Sequence, residues 1–415
     1  MFVPKPFFNN TIKPLPLTIF MLTLNTSYAD NSLWDMSLEE LGKIRLTTLA
    51  SGTATPLDKA AAIATVITAE DIEAMGANDI DEVLETVPGL HVGRIPFSSP
   101  KYNIRGITST HTPQTLVMIN GVPISSLYIG NPSLVWGGMP VKAINKIEVI
   151  RGPGSALYGA DAFAGVINIV TKGGNDIQHN DSGVQAGSFN SLRSWVNYGT
   201  RQYNTDIGLS LEYSQTDGFD TIIKADAQTL LDSLTGSHAS LAPNKTNMGR
   251  NTLDARLQLE GHHWTSHIGY QRRYNLEMGA GIAQAIDPNA KFSSDRINAD
   301  FNYQLPDLVD NLKVNTRLSY YYADQQAMVN NLLYPAGSNT VYPVAMFPNL
   351  FPNGVVGNPE YREEQARFNI DGEFSGFKNH IIRAGVGFFW GDIYEVTEQK
   401  NFMTLILPNG DKSPL

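Results

Sequence analysis

Few residues in this sequence could do covalent chemistry. Cysteine is absent, which excludes disulfides, thiolate nucleophiles, cysteine-ligated zinc and iron–sulfur clusters. Gly152-Pro153-Gly154-Ser155-Ala156-Leu157-Tyr158-Gly159 has the glycine density of a phosphate loop but lacks the Gly-Lys-Ser/Thr ending. Ser155 is not the serine of a nucleophile elbow, because position 153 is proline. The histidines are scattered; His263 and His267 could share a strand face, but two ligands without a third do not make a metal site. No catalytic group, resident metal or cofactor is expected, and the chain does not read as an enzyme.

Any function must therefore come from shape, charge and aromatic surface, and the composition limits what can carry them. Charged residues make up 17% and hydrophobic residues 42%, too little charge for a disordered chain and too little apolar content for a helical membrane protein. The formal net charge of −10 disfavours a nucleic-acid partner.

Residues 1–29 read as a signal peptide. Lys5 and Lys13 precede an apolar run from Leu15 to Leu24, and Ser27-Tyr28-Ala29 supplies small residues for cleavage after Ala29. The run is about half the ~20 residues that a spanning helix needs. Residues 30–58 form a leader, in which Ile44-Arg45-Leu46-Thr47-Thr48 has strand-like character.

Residues 59–174 read as an α+β domain. Thr68 with Asp71 forms a capping box for a helix over Ala69–Met75 that Gly76 ends, and Asp79 caps a second helix over Ile80–Thr86. Short strands are expected at Leu90–Val92, Leu116–Ile119, Ile147–Ile150 and Val166–Val170.

From 182 onward the period falls to two. Leu253, Ala255, Leu257 and Leu259 alternate with Asp254, Arg256, Gln258 and Glu260. Nine strands are expected near 182–189, 191–200, 204–217, 250–260, 263–275, 295–304, 312–325, 365–375 and 380–392. Most are long enough to cross a bilayer when tilted, and connections alternate between short and long, as in an antiparallel transmembrane β-barrel. Leu253, Leu257, Phe301, Leu318 and Phe374 would then face lipid, and Asp254, Arg256, Lys313, Arg317 and Glu373 the lumen. Trp195, Tyr198, Tyr270, Tyr303, Tyr320 and Trp390 fit interfacial girdles.

The wording of the α+β domain narrows this further. Thr65-Val66-Ile67-Thr68-Ala69-Glu70-Asp71-Ile72, Val83-Leu84-Glu85-Thr86-Val87-Pro88-Gly89-Leu90 and Ile104-Arg105-Gly106 occur in that order. Val117-Met118-Ile119-Asn120-Gly121-Val122-Pro123, Ile147-Glu148-Val149-Ile150-Arg151-Gly152-Pro153-Gly154-Ser155, Leu157-Tyr158-Gly159 and Gly165-Val166-Ile167-Asn168-Ile169-Val170-Thr171-Lys172 follow. Over about 65–172 the set strongly resembles the plug of TonB-dependent outer-membrane receptors. Asn120 stands where the family often has aspartate, and Asn-Gly makes the same type I′ turn.

The resemblance implies an α+β plug filling an antiparallel barrel of about 22 strands, in the outer membrane of a Gram-negative bacterium. It implies TonB, lipid and an extracellular small molecule as partners. The ligand is most simply a ferric siderophore, which makes iron a cargo and not a cofactor. Cobalamin, haem, another metal complex or a glycan are alternatives, as is a fragment that binds without transporting. Phe347-Pro348-Asn349-Leu350 only faintly resembles a haem-receptor motif. Ile44, Arg45, Leu46, Thr47 and Thr48 are the candidate TonB box, recruited by strand addition. Arg94, Phe97 and Tyr102 in 93–102, with Tyr128 and Trp136 in 125–138, are ligand-binding candidates offering charge and rings to an anionic or aromatic ligand. Arg105, Gly106, Glu148, Arg151 and Gly152 lie in plug-core motifs and are expected to be structural, their charges paired because an unpaired buried charge is costly. Against that architecture, 182–415 reads as a partial barrel, and this length alone is not expected to close a pore.

Overall fold

The computed structural model describes residues 60 and 62–401, apart from 96–98, 110, 131, 133–135, 155–157, 220, 282, 284, 339–352 and 378–379, together with 23–25, 46–47, 49, 55–57, 405–406 and 412–413. The signal-peptide reading falls outside these residues, except that Thr23–Asn25 forms a short strand against Ile381–Arg383. The Phe347–Leu350 motif also lies outside them.

The first body is a mixed five-stranded sheet with two short helices. Strand β1 (Ala64–Thr68) runs into helix α1 (Ala69–Met75), where Thr68 and Asp71 exchange both bonds of the capping box and Gly76 ends the helix in the left-handed conformation. Helix α2 (Ile80–Glu85) is capped by Asp79. A hairpin follows, β2 (Leu90–Ile95) with β3 (Ser99–Ile104), so that part of the segment read as a loop over 93–102 is paired strand. The sheet itself is ordered β1, β6 (Ile144–Arg151), β7 (Gly165–Thr171), β4 (Thr115–Ile119) and β5 (Val122–Pro123), with only β7 and β4 parallel. Its core packs Ile80, Val83 and Leu84 of α2 against Val117, Ile119, Ile147, Val149 and Ile167. The central strands β4 and β7 are buried on both faces, which is why they read as nearly continuous apolar runs.

Asn120 and Gly121 turn β4 into β5 with φ of 50° and 78°, the two positive values of a type I′ turn. The Asn120 amide accepts from the Thr171 N–H at 2.9 Å and donates to the Thr171 hydroxyl at 2.9 Å, tying the turn to β7. Asn120→Ala loses both bonds and places a Cβ residue without a polar side chain in the left-handed region. It is expected to cost about 2–3 kcal/mol, read as faster hydrogen exchange in the β4–β5 hairpin and in Thr171; unchanged exchange would show that the turn is held elsewhere.

The second body is an antiparallel meander wrapped on the first. Its strands are β8 (Asp181–Gly187), β9 (Ser191–Gln202), β10 (Thr205–Thr216), β11 (Arg250–Glu260), β12 (Trp264–Glu277), β13 (Lys291–Val309), β14 (Leu312–Val329), β15 (Val355–Phe377) and β16 (His380–Lys400), each paired with its neighbours in sequence. The nine expected strands all form. Those on the long-connection side run further than expected, with β15 beginning at Val355 and β16 ending at Lys400. The added length mixes apolar residues with a ladder of charges. Arg362 pairs with Asp324 at 3.1 Å and with Glu395 at 2.5 Å across three strands. A rule that looks for apolar alternation stops where this charged ladder begins.

The two faces separate as the alternation requires. Phe301, Leu318, Phe368 and Phe388 are exposed on the outside of the sheet, whereas Asp254, Arg256, Asn298 and Asp300 are buried on the inside. Tyr198, Tyr303, Tyr320 and Trp390 lie outward. Trp195 does not: it sits opposite Glu212 on the inner face, donates to Asp181 at 2.8 Å and stacks under the Lys142 ammonium at 4.5 Å. Its partners are polar groups of the neighbouring strand β8 and of the first body, so it is a packing residue and not part of a girdle. Among the described residues no helix is long and apolar enough to cross a membrane.

Candidate functional site

The chemistry gathers where the first body meets the ends of the strands joined by long connections. Arg250 opens β11, and Arg273 and Arg296 lie near the same ends of β12 and β13. Arg250 donates to Asp79, the α2 cap, at 3.1 Å. Arg193 of β9 pairs with Glu212 at 3.2 Å and donates to the Asn78 carbonyl. Helix α2 thus enters the barrel with carboxylates at its N-terminal end, where the positive end of the helix dipole favours them, and arginines of the wall hold that end through Asp79 and the Asn78 carbonyl.

Behind Asp79 lies Asp81, 2% exposed. Its carboxylate accepts from the Tyr102 hydroxyl at 2.9 Å and the Gly138 N–H at 3.2 Å, and Arg94 stands 3.6 Å away. Trp136 donates its indole N–H to the Tyr102 oxygen at 3.1 Å, and the Arg296 guanidinium lies 5.6 Å above its ring. Burial pushes the Asp81 carboxyl up to about 6, and the Asp79 carboxylate adds to the shift against the downward pull of Arg94, Tyr102 and Gly138. Gly137 makes the enclosure possible. Its φ is 115°, and a Cβ there would lie 2.4 Å from Pro100 Cδ.

This placement corrects two ligand-binding candidates. Tyr102 and Trp136 are 3% and 2% exposed, with their polar atoms consumed by the Asp81 chain, so they are interior supports and not ligand surface. Arg94 is partly exposed and Tyr128 is 47% exposed. Phe97 lies outside the described residues. Tyr128 stacks on Tyr361 of β15, centroids 5.4 Å apart, a partner that the sequence pattern had not singled out. Two residues on, Glu363 accepts from the Ser126 hydroxyl at 3.0 Å and the Leu127 N–H at 2.8 Å, and Gln365 donates to the Ser125 carbonyl at 2.8 Å. The loop that presents Tyr128 is therefore fastened to the wall by side chains. The spacing of two along β15 (361, 363, 365) is the signal that places all three on the inner face.

The long connections are cross-bonded above this rim. Asp226, the cap of helix α3 (Ala227–Thr235), accepts from the Ile286 N–H at 2.9 Å. Asp287 accepts from the Leu332 N–H at 2.5 Å, and Ser338 donates to Gln228 at 3.0 Å.

The remaining sequence candidates lie elsewhere. Glu148 is fully buried and accepts from Lys146 at 3.0 Å and Asn168 at 3.1 Å. Arg151 donates to the Pro88 carbonyl at 2.6 Å and the Thr65 hydroxyl at 3.0 Å, and Gly152 has φ of 130°. Arg105 and Gly106 form an exposed left-handed turn after β3, so the Arg105 charge is solvated and not a buried core charge. Of the box candidates, Leu46 and Thr47 pair antiparallel with Thr55–Pro56, while Ile44, Arg45 and Thr48 lie outside the described residues. His267 bonds Asp300 at 3.0 Å, and among the described residues no group of three His, Asp or Glu could hold a metal ion.

Comparison with known proteins fits this geometry. The family described as TonB-dependent Receptor Plug Domain matches residues 56–166. The chain is 34% identical over 174 residues to the vitamin B12 transporter BtuB of Vibrio vulnificus, covering 40% of this chain and 27% of that protein. It is 31% identical over 256 residues to BtuB of Photobacterium profundum, covering 59% and 40%. The crystal structure of the ferric citrate transporter FecA in the unliganded form aligns with a TM-score of 0.57 at 17% identity, over 84% of this chain and 50% of that one. The chain thus spans half or less of the length of these relatives, each of which is named a transporter.

Proposed function

We propose that this chain, which carries a TonB-dependent receptor plug domain and successive strands of the barrel that surrounds it, serves an outer-membrane receptor of a Gram-negative bacterium in the TonB-energised uptake of a scarce metal complex, with a ferric siderophore as the leading ligand. The carrying observation is the seating of the plug: α2 and the loop at 125–128 are fastened to inner-face side chains at the long-connection rim. Arg94 and Tyr128 remain exposed there, a cation and a ring facing the side from which a ligand would arrive. TonB would act from the opposite side, through the segment around Leu46–Thr47. Cobalamin is the second reading, favoured by the two relatives named as vitamin B12 transporters.

The test is uptake in cells expressing the native gene, with and without TonB. Radioactive iron supplied as ferric citrate or as a ferric tris-catecholate complex, and radiolabelled cyanocobalamin, are the probes. Accumulation of an iron complex only when TonB is present supports the first reading, and accumulation of cyanocobalamin alone supports the second. Accumulation that ignores TonB would sink both.

A further inference from the structure

The Arg94–Asp81 pair joins an exposed group to a buried one. The Arg94 side chain is 38% exposed and that of Asp81 is 2% exposed, 3.6 Å apart. Asp81 in turn belongs to the cluster that holds the plug to the wall. Around it stand Asp79, Tyr102 and the Gly138 N–H from the plug and Arg273 from β12, and Arg250 of β11 reaches it through its bond to Asp79. Arg94 is the one cation of this group that comes from the β2–β3 hairpin, and it lies at the rim that a ligand would meet.

We propose that Arg94 is an anion-responsive switch: an anionic ligand at the outer mouth competes with Asp81 for the Arg94 guanidinium and thereby couples occupancy to the plug–barrel contacts of α2. This rests on the receptor reading above and adds how that site is regulated. An arginine shared between two carboxylate-like partners gives each only part of its field. When the ligand takes Arg94, the buried Asp81 carboxylate loses its nearest plug cation. It can then take up a proton, or draw on Arg250 and Arg273 across the interface. Either response changes the bond between Asp79 and Arg250, because Asp79 and Asp81 act on each other and both act on Arg273, which also faces Arg250. Ligand binding is thus linked to proton uptake, and by reciprocity the anionic ligand binds more tightly as pH falls from 7.5 towards 6.

The test is equilibrium binding to outer-membrane vesicles that contain the protein expressed from its own gene. The probes are ferric citrate and a ferric tris-catecholate complex, both anionic, and cyanocobalamin, which carries no net charge. At pH 7.5, Asp81→Asn is expected to bind the anionic probes about fivefold to tenfold more tightly than wild type, because the competitor has gone. Arg94→Ala should bind them about tenfold more weakly. Neither substitution should move cyanocobalamin. A purely structural Asp81 would give equal or weaker binding on substitution, which overturns the proposal. Should Asp81→Asn fail to fold, calorimetry of wild type in two buffers of different ionisation enthalpy reads proton uptake directly, and no uptake on binding an anionic probe overturns it as well. Wild-type binding of cyanocobalamin alone overturns the switch and leaves a receptor. Binding of none of the probes overturns the receptor reading together with the switch.

Discussion

Deleting residues 44–48 is expected to abolish energised uptake and to leave ligand binding at the outer rim intact. The reason is the weakness of the pairing that Leu46–Thr47 makes. It is two residues long, and its partner strand contains Pro56, which has no N–H to contribute. So short a pair is marginal by itself and can be exchanged for a longer strand of another protein. Beside it the chain is anchored. Thr47 is fully buried, and Leu49, 2% exposed, packs with Leu116, Met118, Ile150, Ala162 and Val166. A pull on this segment therefore acts on an apolar cluster of the plug sheet and not on a free tail. Uptake and binding of the same labelled probe should be measured side by side. Preserved uptake would reject the box, and lost binding would assign the segment to plug stability instead.

Asp254→Ala is expected to destabilise the barrel wall by about 3–5 kcal/mol, the cost of leaving a buried charge without its partner. Asp254 and Arg256 are 1% and 4% exposed. They meet in a two-point bond, Nε to Oδ1 and Nη2 to Oδ2, both at 2.6 Å. Arg256 also donates to Asn298 at 2.8 Å, and Gln271 donates to Asp254 at 3.3 Å. Removing the carboxylate strands the guanidinium between plug and wall. Asp254→Asn keeps one acceptor and should cost roughly half as much. Loss of the folded, fast-migrating band in detergent electrophoresis at a lower temperature would report the effect. Equal thermal resistance of wild type and Asp254→Ala would mean that water reaches Arg256 and that the pair contributes little.

Local sequence carried much of the fold. Thr68 with Asp71, Gly76 and Asp79 mark helix ends because caps satisfy backbone groups within a few residues. Asn120-Gly121 marks its turn for the same reason. Alternation marks the barrel strands because lipid and lumen impose opposite chemistry on neighbouring side chains. It failed at Trp195, where a large ring occupies an inner position, and along 355–364, where the strand continues without apolar alternation.

The candidate site was legible only as a set of suitable side chains. Arg94, Tyr102, Tyr128 and Trp136 all look alike to a reading that asks for charge and rings. Which of them faces outward depends on partners far away in sequence: Asp81 and Gly138 draw Tyr102 inward, and Tyr361 and Glu363 hold Tyr128 at the rim. By itself, then, the sequence determined the element types, the plug motifs and the two faces of the wall, because these follow from local hydrogen bonding and from period. The tertiary structure alone decided which aromatic groups are buried, which arginines meet which aspartates, and that Leu46–Thr47 lies paired beside the plug. Those outcomes are set by contacts between plug and wall and by pairing between strands, and no spacing along the chain encodes them.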